Sequence, residues 1–301
     1  MIFIFGAMKN SRMSLWHFLA ILTIIVWGAS FVSTKVLLNA GFLPTQVYLL
    51  RFLLAYLILL GLSHQKFYAG NWKDELLLAC CGLTAGSIYF IAENTALGLS
   101  YVSNVSLIVC ANPLFIMIAT GIFFAGERLN KRQITGSLIT LCGMILVVLN
   151  GKFILKVSPV GDLLAFVAAI VWTVYSLIVR PLSLRYPTLY ITRKIFFYGS
   201  LTSIPVLFAT GADIPWRAFQ NPIVAGNFLF LGIIASLFGY IVWNKVLKMI
   251  GTVLASNYIY AVPLVSILCS VIFLRERMTL VAILGAALIL CGMLLAETKK
   301  K

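Results

Sequence analysis

The sequence contains few charged residues, and acidic residues are especially scarce. Charged residues make up 10% of the 301 positions and only eight residues are Asp or Glu, whereas 62% are hydrophobic. Soluble domains carry about 25% charged residues. The composition therefore argues against a soluble domain and predicts a protein that is surrounded by lipid over most of its surface.

The sequence also lacks the residue patterns of enzymes and metal sites. Its two histidines, His17 and His64, lie far apart, and it has no phosphate-binding loop and no nucleophile–base–acid pattern. All six cysteines fall inside hydrophobic runs without metal-ligand spacing, where cysteine behaves as a small hydrophobic residue. These are Cys80, Cys81, Cys110, Cys142, Cys269 and Cys291. We expect no enzyme activity, no metal site and no cofactor.

The net charge of +15 raises the question of nucleic-acid binding. Lys and Arg, however, cluster between the hydrophobic runs, as in cytoplasmic loops of membrane proteins. With a cytoplasmic N-terminus, sixteen basic residues fall on the inner side and six on the outer side. This bias predicts a plasma (inner) membrane protein with both termini in the cytoplasm, and no nucleic-acid partner. Four further basic residues lie on the predicted inner half with no buried acid nearby: Arg180, Arg193, Lys194 and Lys245. They could attract an anionic substrate if they face inward, but we assign them to the same bias.

Hydrophobic runs follow one another along the whole chain. A helix needs about 20 hydrophobic residues to cross the hydrocarbon core of a bilayer. Ten runs reach about this length: 15–38, 43–63, 75–98, 101–125, 131–150, 159–180, 187–209, 222–247, 252–274 and 279–297. The sequence therefore predicts an all-α integral membrane protein with ten transmembrane helices.

The chain contains an internal repeat. Pro113 returns as Pro263, 150 residues later, and the tetrapeptide Leu-Cys-Gly-Met at 141–144 returns at 290–293. Residues 1–150 and 151–301 are therefore predicted to be two copies of one five-helix unit. Because five is odd, the copies should cross the membrane in opposite orientations, an arrangement characteristic of secondary transporters.

Glu93 is the one acidic residue inside a predicted helix; the other seven lie at run ends or in loops. It shares a helix face with Gly82, Gly86 and Tyr89. Arg51 lies at a similar predicted depth, so we expect an ion pair or a shared water network between Arg51 and Glu93. The alternative is that Arg51 extends its charged end toward the membrane surface. Glu93 is either a proton- or cation-responsive site or part of a structural pair, and the sequence leaves both open.

Two tryptophans occupy matching positions in the two copies. Trp27 shares a face with Ser30 and Phe31, and Trp172 shares one with Tyr175, at an offset of 145 residues. Tryptophan in mid-membrane can form an aromatic wall while its N–H bonds a polar neighbour. Ordinary helix packing is the alternative, but the matched pair favours a cavity.

Pro113 and Pro263 fall in mid-helix, where proline interrupts the backbone hydrogen bonds and should bend the helix. Ser106 shares a face with Pro113, and Tyr260 shares one with Pro263, beside Asn257. The bends are either static or part of a gate. We expect Tyr89 and Tyr260 to line the cavity.

Four polar residues are predicted to contribute hydrogen bonds to the cavity: Ser30, Ser106, Asn244 and Asn257.

The chain resembles the EamA-type ten-helix transporters of the drug/metabolite transporter superfamily. The resemblance covers residues 14 to 298 and rests on short motifs of the first two helices and on the duplicated proline series. These are Trp27-Gly28 with Phe31 and Lys35, Arg51 to Ala55, Pro113 with Gly126 to Leu129 and Gly136, and Pro263 with Arg275 to Met278 and Gly285. The resemblance implies alternating access around a central cavity, with efflux of amino acids, metabolites or toxic organic compounds. Glu93-Asn94 departs from the family, which usually has hydrophobic or aromatic residues there.

We therefore expect a secondary active transporter, an exporter of small organic solutes in a lipid bilayer. A passive channel or facilitator and a non-transporting membrane protein are the alternatives. The substrate, a coupling proton and the choice between monomer and homodimer stay open.

Overall fold

A computed structural model describes residues 11–62, 66–100, 102–123, 130–149, 158–211, 213–265, 268 and 279–297, and all of the secondary structure assigned there is helical. His64, Cys269 and the charged motifs around Glu127 and Glu276 lie outside these residues.

The α-helices follow the predicted hydrophobic runs closely. In chain order they are α1 (Ser11–Asn39), α2 (Pro44–Leu62), α3 (Trp72–Leu99), α4 (Val102–Val109), α5 (Asn112–Phe123), α6 (Lys131–Leu149), α7 (Pro159–Arg185), α8 (Thr188–Thr210), α9 (Pro222–Ile250), α10 (Thr252–Asn257) and α11 (Leu280–Glu297). A 3₁₀ helix, Trp216–Gln220, precedes α9, and a second, Tyr258–Ala261, follows α10.

Six helical segments of the described chain are long and hydrophobic enough to cross a membrane: Ser14–Asn39, Pro44–Leu62, Trp72–Leu99, Val105–Phe123, Pro159–Arg185 and Pro222–Ile250. Two shorter hydrophobic helices are Thr252–Val265 and Ile283–Ala296. The fold is that of an all-α membrane protein, while the count of ten crossings stays a prediction.

Helix ends are set by local turn chemistry. The side chain of Asn71 accepts a hydrogen bond of 3.0 Å from the N–H of Lys73 at the start of α3, and Asn221 does the same for Ile223 in α9 at 2.9 Å. Such side chains satisfy backbone N–H groups that have no partner within the helix. Gly251 separates α9 from α10 at φ 87°, a conformation that favours glycine.

Helices of each predicted copy pack against helices of the other copy. α1 and α2 pack against α9, while α7 and α8 pack against α3. Both α3 and α9 contain a π-helical segment, Leu83–Ile88 and Phe230–Phe238, whose last residues are 150 positions apart. The contact surfaces of α3 and α9 therefore have the same irregularity at the same place in the predicted repeat.

α6 and α11, the last helices of the predicted copies, pack along one another. A Cβ atom at Gly143 would lie 2.6 Å from the carbonyl oxygen of Gly285, and one at Gly136 would lie 2.6 Å from that of Gly292. Glycine is required at these contacts because any side chain would force the backbones apart.

Candidate functional site

A cavity lies among α1, α2, α3, α4, α5, α7 and α9. The cavity volume is about 40 Å³, which exceeds the minimum of about 10–15 Å³ that one water molecule requires. Its walls are formed by Trp27, Ser30, Phe31, Arg51, Tyr89, Phe90, Glu93, Val109, Cys110, Asn112, Trp172, Tyr240, Ile259 and Val262. Residues from both predicted copies therefore contribute to one site.

Aromatic rings form much of this wall. Trp27 and Trp172 meet at a ring-centroid distance of 5.5 Å and an interplanar angle of 87°. Trp172 also contacts Tyr89 at 5.0 Å and Tyr240 at 6.0 Å. The indole N–H of Trp27 donates to the carbonyl of Ala235 at 3.1 Å, whereas the buried N–H of Trp172 has no hydrogen-bond partner among the described residues.

Arg51 brings a positive charge to the cavity. Its side chain is buried, its Nε donates to the hydroxyl of Ser236 at 2.8 Å, and its guanidinium lies 4.5 Å from the ring centroid of Phe90. A cation over an aromatic face gains electrostatic stabilisation. The terminal Nη groups of Arg51 make no hydrogen bond or ion pair to the part of the chain that the structure describes.

Glu93 brings the opposite charge. It is buried, and the hydroxyl of Tyr89, one helical turn earlier, donates to its Oε1 at 2.6 Å. Arg51 and Glu93 line one cavity, but they form no direct ion pair within the described residues. Ser236 and Phe90 contact the guanidinium, and Tyr89 donates to the carboxylate. The shared water network between Arg51 and Glu93 stays a prediction.

Asn112 lies where the helix breaks between α4 and α5. Pro113 has no N–H, and the side-chain Nδ2 of Asn112 donates to the carbonyl of Val109 at 3.0 Å. Pro263 likewise follows an irregular stretch, the 3₁₀ helix Tyr258–Ala261. Both prolines therefore stand near the start of a new helical segment rather than inside a continuous helix.

Comparison with known proteins identifies the family. Residues 14–149 and 159–298 each match the model of the EamA-like transporter family. The chain belongs to the EamA-like transporter family. It is thus a multi-pass membrane protein of a transporter family.

Several relatives of this EamA-like transporter span nearly its whole length. One from Archaeoglobus fulgidus, named an uncharacterized transporter, is 27% identical and the match covers 94% of this chain and 98% of the relative. A probable terminal-alkyne amino-acid exporter of Streptantibioticus cattleyicolor is 25% identical over 93% of this chain and 92% of its own. A probable amino-acid metabolite efflux pump of Escherichia coli is 25% identical over 91% and 92%.

A solved crystal structure has the same fold. It superposes with a TM-score of 0.73 at 21% identity and covers 94% of this chain and 95% of its own.

Six of the predicted cavity residues line the cavity of this EamA-like transporter: Trp27, Ser30, Phe31, Tyr89, Glu93 and Trp172. Arg51, predicted as the partner of Glu93, lines it too. Phe90, Asn112 and Tyr240 line it as well, although they are not among the residues predicted from the sequence. Asn112 offered one usable signal, a polar side chain directly before a proline in a hydrophobic run.

Five other predicted cavity residues do not line this cavity: Ser106, Tyr175, Asn244, Asn257 and Tyr260. The hydroxyl of Tyr175 donates to Asn244, whose Nδ2 donates to Thr192 at 3.0 Å. Asn257 accepts from Ser137 at 2.9 Å. Ser106 and Tyr260 are buried between helices. These side chains lie in helix packing, and the bonds of three of them join helices to one another.

A second charged cluster lies at the predicted inner end. Lys194 pairs with Glu75, which also accepts from Tyr198 and, at 2.8 Å, from the N–H of Ala69. Lys194 therefore has an acidic partner, and the Glu75 side chain is partly buried. The two residues meet because α8 packs against α3.

Asp74, next to Glu75 in α3, forms another ion pair. It pairs with Arg185 and accepts from the hydroxyl of Tyr186 at 2.8 Å. Burial, together with this hydrogen bond, raises the pKa of Tyr186 above its usual value of 10.

Proposed function

We propose that this chain exports small zwitterionic organic solutes, and that amino acids with hydrophobic side chains are the substrate class. One observation carries the proposal: Arg51 and Glu93 place opposite charges in one aromatic cavity without pairing directly. A zwitterion carries a carboxylate and an ammonium group, and it can offer each residue the partner that the protein does not supply.

Arg51 and Glu93 are both buried ionisable residues. A buried charge without a full set of partners is costly. The Nη groups of Arg51 are suited to a carboxylate, which accepts two parallel hydrogen bonds from a guanidinium. Glu93 has one hydrogen bond from Tyr89, which leaves its carboxylate able to accept from an ammonium group.

The rest of the wall fits a hydrophobic side chain. Trp27, Trp172 and Tyr240 offer ring faces, and Val109 and Ile259 add aliphatic surface. Hydrophobic walls with a few polar groups are typical of small-molecule sites. The names of the two amino-acid-exporting relatives agree with this substrate class.

The proposed mechanism is alternating access. About 40 Å³ of water-accessible space is too small for leucine, so the walls must move apart to admit a solute. We propose that residues 1–150 and 151–301 are inverted copies which exchange conformations, so that the cavity opens to one side and then to the other. The crossed packing of α1 and α2 on α9, and of α7 and α8 on α3, supports this proposal.

Glu93 is also the proposed site of a coupling proton. It is the acidic residue on the cavity wall, and protonation would remove the negative charge that an ammonium group needs. Proton and substrate would then compete for one carboxylate.

Counterflow in proteoliposomes tests the proposal. Vesicles preloaded with L-leucine should take up labelled L-leucine faster than empty vesicles, and uptake should saturate. Linear uptake without acceleration would instead indicate a passive channel. The competitors 4-methylpentanoate and 3-methylbutylamine, which lack the ammonium and the carboxylate of leucine respectively, should inhibit less than leucine does. Equal inhibition by all three compounds would contradict a zwitterion site.

A further inference from the structure

The amide of Asn112 has a fixed orientation. Pro113 cannot supply a backbone N–H, and Nδ2 of Asn112 lies 3.0 Å from the carbonyl oxygen of Val109. Because a carbonyl oxygen only accepts hydrogen bonds, the atom that faces it must be the Nδ2 donor. The other end of the amide, Oδ1, therefore points away from Val109.

That Oδ1 atom is buried without a partner. Asn112 is 2% exposed, and its Oδ1 has no hydrogen bond to any described residue. Buried polar atoms in native proteins are nearly always hydrogen-bonded, so each exception calls for an explanation. Here the explanation is local, because Asn112 lies on the cavity wall together with Glu93 and Arg51.

The other predicted copy lacks this group. Val262 stands before Pro263 as Asn112 stands before Pro113, and Val262 also lines the cavity. The two proline breaks thus meet at the cavity, but the first alone brings an amide to it.

We propose that Asn112 contacts the substrate directly: its Oδ1 accepts a hydrogen bond from the ammonium group of the solute, and it thereby selects zwitterions over carboxylates that lack this group. The inference rests on the proposed function and adds a residue that determines specificity. Glu93 supplies the charge for the ammonium group, and Asn112 supplies a directional acceptor.

The test compares the binding of three probes to the purified protein by titration calorimetry. L-Leucine and 3-methylbutylamine carry the ammonium group, and 4-methylpentanoate does not. In N112L, binding of the first two should weaken about tenfold, as expected for a lost hydrogen bond to a charged group. Binding of 4-methylpentanoate should stay within about twofold. Equal weakening for all three probes, or none for any, would overturn the inference.

The variant N112D distinguishes a direct contact between Asn112 and the substrate from a structural role of the hydrogen bond to Val109. Both N112L and N112D lose the donor to Val109, but N112D keeps an oxygen acceptor in place of Oδ1. N112D should therefore retain the preference for the ammonium-bearing probes that N112L loses. Loss of this preference in both variants would show that the bond to Val109 is what matters. N112V, which copies position 262, replaces N112L if that variant does not fold.

Asn94 provides the matched control. It is also buried, its Nδ2 donates to the carbonyl of Pro44 at 3.1 Å, and its Oδ1 has no partner among the described residues, yet it does not line the cavity. N94L should change the binding of all three probes by the same factor, and a selective change there would count against the inference. If the wild-type protein binds no leucine, the proposed function fails; if it binds leucine and N112L binds it equally well, only the role of Asn112 fails.

Discussion

Lys194 and Arg51 occupy the same position in the two predicted copies, but their surroundings differ. Lys194 lies seven residues after Pro187 in α8, and Arg51 lies seven residues after Pro44 in α2. Each side chain reaches across to the other copy, since Lys194 pairs with Glu75 of α3 and Arg51 bonds to Ser236 of α9. Lys194 forms an ion pair with a carboxylate. Arg51 instead donates a hydrogen bond to the hydroxyl group of Ser236 and lines the cavity.

The difference distinguishes Lys194, whose charge is paired within the protein, from Arg51, whose charge we propose binds substrate. Glu75 accepts from Lys194, Tyr198 and the backbone of Ala69. The charges of this cluster at the predicted inner end are therefore paired, and we call it the closed cluster. Arg51 and Glu93, which we call the open pair, have one hydrogen bond each within the described chain and line the same cavity. Substitutions in the closed cluster should therefore lower the free energy of unfolding. Substitutions in the open pair should weaken substrate binding.

The largest expected effect is on the stability of the closed cluster. Lys194→Met removes the partner of Glu75 and should lower the free energy of unfolding by about 3 kcal/mol, since it leaves a partly buried carboxylate uncompensated. Unfolding in mixed micelles measures this change. The double variant Lys194→Met/Glu75→Gln should recover part of the loss. If Lys194→Met is as stable as the wild type, the cluster does not stabilise the fold.

Arg51→Met is the matched substitution in the open pair. It should leave the unfolding free energy the same or higher, because it removes a buried charge that lacks an ionic partner. Binding of L-leucine should weaken about a hundredfold, as charge-assisted hydrogen bonds to the carboxylate are lost. Calorimetry and unfolding on the same preparation give both values. A large loss of stability with unchanged binding would reverse the roles assigned to the two cations.

Glu93→Gln removes charge from the open pair but keeps an acceptor for Tyr89. Binding of L-leucine should weaken about tenfold, which is less than for Arg51→Met because a neutral oxygen still faces the ammonium group. In the wild type, transport should fall as the pH falls through the titration of Glu93, because protonation removes the negative charge. The variant should lose this pH dependence in proteoliposome counterflow. An unchanged pH profile would exclude Glu93 as the proton site.

Much of this architecture follows from one-dimensional patterns. Proline, glycine and asparagine mark helix ends such as Asn71 and Gly251, and a charge or tryptophan in a hydrophobic run stands out, as Arg51, Glu93 and Trp172 do. The sequence predicts less well which face of each helix is turned toward the cavity. Phe90 and Tyr240 look like ordinary hydrophobic positions, and only the packing of α3 and α9 turns them toward the cavity. Lys194 and Glu75 are 119 residues apart, so their pairing depends on tertiary contact.

The smallest effect is expected at the edge of the closed cluster, where Arg185 pairs with Asp74. The Arg185 side chain is 51% exposed, and exposed ion pairs contribute about 0.2–1 kcal/mol because water and salt screen them. Asp74 also keeps its hydrogen bond from Tyr186 when Arg185 is lost. Arg185→Ala should therefore lower the unfolding free energy by less than about 1 kcal/mol, and the loss should shrink further at high salt. A loss as large as that of Lys194→Met would mean that Arg185 and Lys194 act as one network rather than as an exposed pair beside a buried one.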